Sequence, residues 1–226
     1  VVKLVLFDVD GTLIRTQGAG IKAFERTFAS EFKLSGATDG VEFAGRTDPS
    51  IVREVFTQYQ IEPSPENFHR FFGTYVFWLD HLLSKTNGGI CVGVWNFING
   101  LMSMPVPPML GLLTGNVRLG AEIKLRYFHL WEQFQVGAFG DDDENRDHLA
   151  GLAQKRASEK LGAPLSGSEI LVVGDTPLDI QCARAIQAKV IAVGTGGYTL
   201  DELKPFKADW LVANLGELNA SAVCGA

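Results

Sequence analysis

Val2-Lys3-Leu4-Val5-Leu6-Phe7-Asp8-Val9-Asp10-Gly11-Thr12 opens on a run of Val and Leu and stops abruptly in two carboxylates, a glycine and a hydroxyl. An apolar run of this length with no polar alternation reads as a strand buried on both faces, as in a parallel sheet. Acids released at the carboxyl end of such a strand sit where open α/β sheets place their ligands. Asp8 and Asp10, two apart, share one side of an extended strand, and Gly11 gives the chain the freedom to turn there. Two readings are open at this point. The acids are the start of a site, or Asp-Gly is ordinary turn chemistry after a strand.

Outward from this stretch the pattern changes. Ile21, Phe24, Phe28, Phe32 and Leu34 recur at helical spacing, which predicts a helix over 19–34. Phe43 to Pro49 reads as a loop, with Asp48 as cap and Pro49 as first residue of a helix through Ile51, Val52, Val55 and Phe56. Pro63-Ser64-Pro65 breaks the chain before an aromatic-rich helix over 66–84, in which Phe71, Phe72, Phe77 and Trp78 read as core. Residues 16–86 thus read as an all-helical insert. Residues 1–15 and 87–226 return to alternating strands and helices: a helix over 94–104, strands over 109–113, 134–139, 169–174, 189–193 and 209–212, and helices over 118–129, 145–161 and 180–186. This alternation predicts a doubly wound, Rossmann-like α/β core with a parallel sheet.

Three of the buried strands end alike, in Asp8-Val9-Asp10-Gly11-Thr12, Thr114-Gly115-Asn116 and Gly174-Asp175-Thr176-Pro177-Leu178-Asp179. If they converge at one edge of the sheet, four carboxylates meet a hydroxyl and an amide. Such a group is untenable unless a cation balances it or protons are taken up. Hard oxygen donors with open positions suit Mg²⁺. Three matching clusters on the right elements favour the site over ordinary turn chemistry.

Composition narrows the alternatives. The chain has 226 residues, 46% hydrophobic and 20% charged, which is enough for a substantial core. A net charge of −6 speaks against nucleic-acid or acidic-membrane partners. Cys91, Cys182 and Cys224 are odd in number and carry no CxxC pair, so a reducing cytoplasm is expected rather than a disulfide framework or zinc site. Apolar stretches are interrupted, and no secretory signal pattern precedes the first strand. Gly194-Thr195-Gly196-Gly197 lacks a P-loop lysine and reads as a strand-to-helix turn. His69, His81, His129 and His148 share no metal spacing, and Asp141 to Glu144 reads as a solvated loop.

The ordered set DxDGT, TGN and GDxxxD resembles the haloacid dehalogenase superfamily, in its phosphatase branch with a helical cap after the first motif, and most of all phosphoglycolate-phosphatase-like members. The match runs from Val2 to about Leu215. The resemblance implies a Mg²⁺-dependent phosphatase acting on a small phosphorylated metabolite, as a monomer or homodimer. Asp8 would be the nucleophile and Asp10 the proton donor and acceptor. Mg²⁺ would be held by Asp8, the Asp10 backbone carbonyl and Asp175, with Asp179 a ligand through water or an orienting partner. Thr114 would bond the phosphoryl oxygens, helped by backbone N–H groups around Gly11, Gly115 and Asn116, and Thr12 would fix Asp10. The family's basic residue upstream of GDxxxD lacks its usual Lys-Pro context here. Arg146, at a helix start, is the first choice over Lys155 and Arg156. Arg46 resembles a cap-loop residue that contacts substrate, and Lys22, which resembles the Schiff-base lysine of phosphonate-cleaving relatives, is expected on a solvated face. A phosphomutase and a non-catalytic phosphate-binding module are the alternatives, separated by isomerised product and by absent phosphate release.

Overall fold

In the computed structural model, which describes residues 1–225, the opening stretch forms strand β1 (Leu4–Phe7), buried along its whole length. The chain then passes through a two-residue strand β2 (Ile14–Arg15) into helices α1 (Ala19–Phe32), α2 (Asp48–Gln58) and α3 (Pro65–Leu83). It returns through β3 (Gly89–Ile90), which pairs antiparallel with β2, Arg15 opposite Gly89. The remainder alternates: α4 (Val94–Met102), β4 (Met109–Leu113), α5 (Arg118–Tyr127), β5 (Val136–Ala138), α6 (Arg146–Leu161), β6 (Ile170–Gly174), α7 (Pro177–Ala185), β7 (Lys189–Val193), α8 (Leu200–Leu203), β8 (Trp210–Val212) and α9 (Ala220–Cys224).

Six strands form one parallel sheet in the order β5-β4-β1-β6-β7-β8. Successive residues of β1 face opposite layers. Leu4 and Leu6 join Leu149, Ala153 and Ile180 of α6 and α7, whereas Val5 and Phe7 join Phe97, Leu125 and Val223 of α4, α5 and α9. The sheet is therefore covered on both faces, which is why its strands read as continuous apolar runs. After β5 the chain crosses back to β6 beside β1, so the order reverses next to β1, where such sheets open a crevice at the strands' carboxyl ends.

Helices α1 to α3 build a separate apolar cluster around Phe24, Phe28, Phe56 and Phe71, joined by Val117, the residue that precedes α5. Phe28 and Phe71 lie 4.6 Å apart between ring centroids, and Phe24 and Phe71 5.1 Å. Each buried Phe contributes about 1.5–3 kcal/mol, which lets three helices hold together over a small core. No helix among the described residues is long and apolar enough to cross a membrane.

Several expectations shift. Thr47, not Asp48, caps α2, accepting from the Ser50 N–H, because the Asp48 carboxylate is drawn away to another helix. Helix α7 begins at Pro177 rather than residue 180, since Thr176 and Asp179 form a capping box ahead of it. Strand β5 is shorter than 134–139 because a 3-10 turn over Trp131–Gln133 takes up the approach. Phe77 is 64% exposed and lies outside the helical core, being out of phase with Phe71, Tyr75 and Leu79.

Candidate active site

Strands β4, β1 and β6 are neighbours, so Thr114, Asp8 and Asp175 leave the sheet side by side. The Asp8 N–H donates to Val173 O (2.9 Å), which holds the first acid against β6. Gly11 then takes φ +84°, and a side chain there would strike the Asp175 carboxylate, 2.4 Å from a Cβ. Glycine is needed for both the turn and the approach.

Asp8, Asp175 and Asp179 are all buried, and each offers an oxygen within 4.8 Å of the others. Burial is the largest cause that pushes the Asp8 carboxyl up to about 7. The Asp179 charge adds to it and Arg146 opposes it. Asp175 is also driven well above the carboxylate range, by burial and by Asp8. Asp179 is fixed through its Oδ2, which accepts from Thr176 N (3.0 Å) and Thr176 Oγ1 (2.8 Å). Three carboxylates against one buried guanidinium leave negative charge uncompensated. The donors are all hard oxygens, so the set fits a divalent cation such as Mg²⁺.

Arg146, the first helical residue of α6, is the guanidinium in question. Its Nη2 donates to Asp179 and lies 3.5 Å from Asp8 Oδ1, and its Nη1 donates to Gly45 O (3.1 Å). Its Nε is buried without a partner. A buried donor left unpaired costs about 1–3 kcal/mol, which an anion can recover. Arg156 instead pairs with Asp142 at 2.6 Å, and Lys155 is exposed.

Asp10 faces the opposite side. Its Oδ2 accepts from Asn116 Nδ2 (2.9 Å) and Lys124 Nζ (2.6 Å), while its side chain is 40% exposed to the cavity. Asn116 also donates to Thr114 Oγ1 (2.8 Å), which leaves the Thr114 hydroxyl proton free to donate. Thr12 departs from expectation. Its hydroxyl donates to Asp175 Oδ1 (2.9 Å) rather than fixing Asp10, because the turn at Gly11 swings it toward β6.

Asp8, Asp10, Thr114, Asn116, Arg146 and Asp175 line a cavity of ≈ 480 Å³ between the sheet edge and the helical unit. The helical side supplies Phe24, Phe43, Ile51, Tyr75 and Asp48. Asp48 Oδ2 accepts from the Val117 N–H (2.9 Å), so α2 caps α5, and burial pushes its carboxyl up to about 7 against the pull of Lys124. Gly115 touches the facing loop so closely that a Cβ would lie 2.0 Å from Arg46 O, and its own carbonyl accepts the Asp48 N–H (2.7 Å). Arg46 lines the cavity, but its guanidinium pairs with Glu54 and donates to Glu42 O and Ser50 O. Lys22 is exposed.

Two parts of the site were missed from sequence. Lys124 sits among Arg118, Glu122 and Arg126 and reads as part of a solvated helix face. The available signal is its phase, three after buried Ala121 and next to buried Leu125. The loop after β7 is the other. Thr195 Oγ1 donates to Gly11 O (2.6 Å), and a Cβ on Gly196 would overlap the Asp175 carboxylate.

The sequence profile of the haloacid dehalogenase-like hydrolases matches residues 5–193. The pyrophosphatase PpaX of Halalkalibacterium halodurans is 27% identical over 226 residues, 96% of this chain and 95% of that protein. The crystal structure of CbbY from Rhodobacter sphaeroides in complex with phosphate superposes with a TM-score of 0.77 at 19% identity, covering 100% of both chains. That of a predicted phosphoglycolate phosphatase from Haemophilus somnus gives 0.72 at 18% identity, covering 96% of both. At such identities the structural likenesses establish the fold.

Proposed function

The chain belongs to the haloacid dehalogenase-like hydrolase family, and on that premise we propose that it is a Mg²⁺-dependent phosphatase hydrolysing a small phosphomonoester through an aspartyl phosphate on Asp8. One observation carries this reading. Asp8 lies at the central strand's end between the Arg146 guanidinium and two further buried acids, with Asp10 tethered across the same cavity.

An Asp8 oxygen attacks phosphorus as the bond to the leaving oxygen breaks. Asp10 gives that oxygen a proton, then takes one from the water that attacks the phosphorus and restores the Asp8 carboxylate. Lys124 and Asn116 both hold Asp10 Oδ2, so Oδ1 is left to handle the proton. Arg146 Nε and the Thr114 hydroxyl proton are free to bind phosphoryl oxygens, helped by backbone N–H groups at Gly11, Gly115 and Asn116. Asp8, Asp175, Asp179 and the Asp10 carbonyl would hold Mg²⁺, which when bound supplies positive charge that keeps Asp8 ionised and balances the phosphoryl group.

Residues 16–86 are assigned as a cap over the cavity, excluding bulk water and limiting the substrate to small phosphorylated metabolites. A phosphoglycolate-like ester is the substrate class assigned. Inorganic pyrophosphate is a second reading, favoured by the likeness to PpaX. Phosphate release from each, measured side by side, decides between them. Asp8→Asn is expected to abolish turnover of p-nitrophenyl phosphate, and EDTA to do so reversibly. Turnover retained by Asp8→Asn overturns the mechanism.

A further inference from the structure

On the leaving-group side of the cavity lies a buried cation whose bonding is incomplete. The Lys124 side chain is 5% exposed, and Nζ donates to Asp10 Oδ2 and to Asn116 Oδ1, both at 2.6 Å. An ammonium has three N–H donors, so one remains. The cap helix α1 passes over Nζ at Gly20, where a Cβ would stand 3.5 Å away, and with no side chain there the space beside the ammonium stays open to the cavity. Among the described residues no cavity arginine bonds Asp10. Arg46 is paired with Glu54, and Arg15 Nε donates to Thr195 O (2.5 Å). Arg146 serves the opposite side, against Asp8. Lys124 is therefore the cation next to the atom that departs, since Asp10 itself must reach that atom.

We propose that Lys124 is a specificity residue: its remaining N–H binds a negative group carried by the leaving portion of the substrate. The enzyme then prefers phosphate esters and anhydrides whose leaving group bears a carboxylate or a second phosphate over those with a neutral leaving group. A lysine suits this role because its compact charge accepts either anion without demanding a planar partner. Burial strengthens the interaction by removing competing water.

The proposal rests on the phosphatase reading, and the test separates the two. The quantity to measure is kcat/KM for 2-phosphoglycolate and for inorganic pyrophosphate, each divided by that for 2-hydroxyethyl phosphate, a neutral counterpart. A charge-assisted hydrogen bond predicts a preference of about 10–100-fold for an anionic substrate in the wild type. Lys124→Met is expected to lower each ratio about 10–100-fold, mainly through KM, and Lys124→Arg to keep most of it. Loss of Lys124 also frees Asp10 and slows all substrates, so the ratio is read rather than the rate. Lys124→Gln, which retains an N–H for Asp10, serves if the methionine variant does not fold. A ratio lost for one anion only identifies that anion as the group bound. A wild-type ratio near unity, or a ratio unchanged in Lys124→Met, reduces Lys124 to a tether for Asp10 and overturns the proposal. A wild type that hydrolyses none of these substrates, nor p-nitrophenyl phosphate, overturns the phosphatase reading itself.

Discussion

Asp48 shows how one side chain can tie two units together and make stability depend on pH. It is supplied by α2, caps α5 at Val117, and is pushed by burial from 3.8 to about 7. Between those values the folded chain holds a proton that the unfolded chain has released. Stability from this group therefore falls as pH rises through the window. Asp48→Asn keeps an acceptor for the Val117 N–H and removes the titration. Denaturant unfolding at several pH values is expected to show wild-type stability falling relative to the variant by up to about 1.4 kcal/mol per unit. Parallel curves count against it. Asp8 and Asp175 titrate in the same direction, so the difference between the two proteins is the informative quantity. Asp8, Asp10 and Asp175 were legible in sequence because each follows a buried strand, where the change from apolar to polar is abrupt, and Asp179 by its spacing from Asp175. Asp48 and Lys124 were not, since each sits on a helix among ordinary polar neighbours and becomes buried only when two units meet.

At the scale of elements, the junction between the loop before α2 and the sheet edge rests on close backbone contact more than on surface charge. The Arg53–Glu144 pair spans it, but both side chains are well exposed, 46% and 36%. Such a pair is worth about 0–1 kcal/mol, and Arg53→Ala is expected to change the unfolding free energy and kcat/KM only slightly. Gly115 is different. An added methyl would meet Arg46 O at 2.0 Å, so the loop carrying Arg46, Thr47 and Asp48 must lift away. A displacement near 1 Å in a catalytic assembly can cost about 100-fold. Gly115→Ala is therefore expected to lower kcat/KM by at least about 10-fold with an unchanged far-ultraviolet circular dichroism spectrum. Wild-type kinetics in this variant would show that the loop does not need to seat on Gly115. The helices and strands themselves were largely legible from apolar periodicity and caps. The β2–β3 ladder was not, because two-residue strands carry no periodicity.

The whole molecule is a sheet with an apolar layer on each face and a third apolar cluster among α1 to α3, and ligands that bind in the cavity between sheet edge and helices favour the assembled state. Orthophosphate with Mg²⁺, at about 100 times its Kd, is expected to add about 2.7 kcal/mol, or about 5–10 °C in Tm for a chain of this size. An unchanged Tm in a preparation that hydrolyses p-nitrophenyl phosphate would argue against binding at this junction. Strand alternation made the parallel sheet legible, whereas the order β5-β4-β1-β6-β7-β8 depends on crossovers that sequence spacing leaves open. The β2–β3 ladder has a further consequence. Because Arg15 and Gly89 lie opposite one another, the helical segment departs and rejoins the core through a single doorway. Such a segment is a graft: it can be lengthened, trimmed or exchanged without rethreading the sheet. With residues 16–86 as the proposed cap, the choice of substrate would drift under descent while the reaction chemistry is inherited intact.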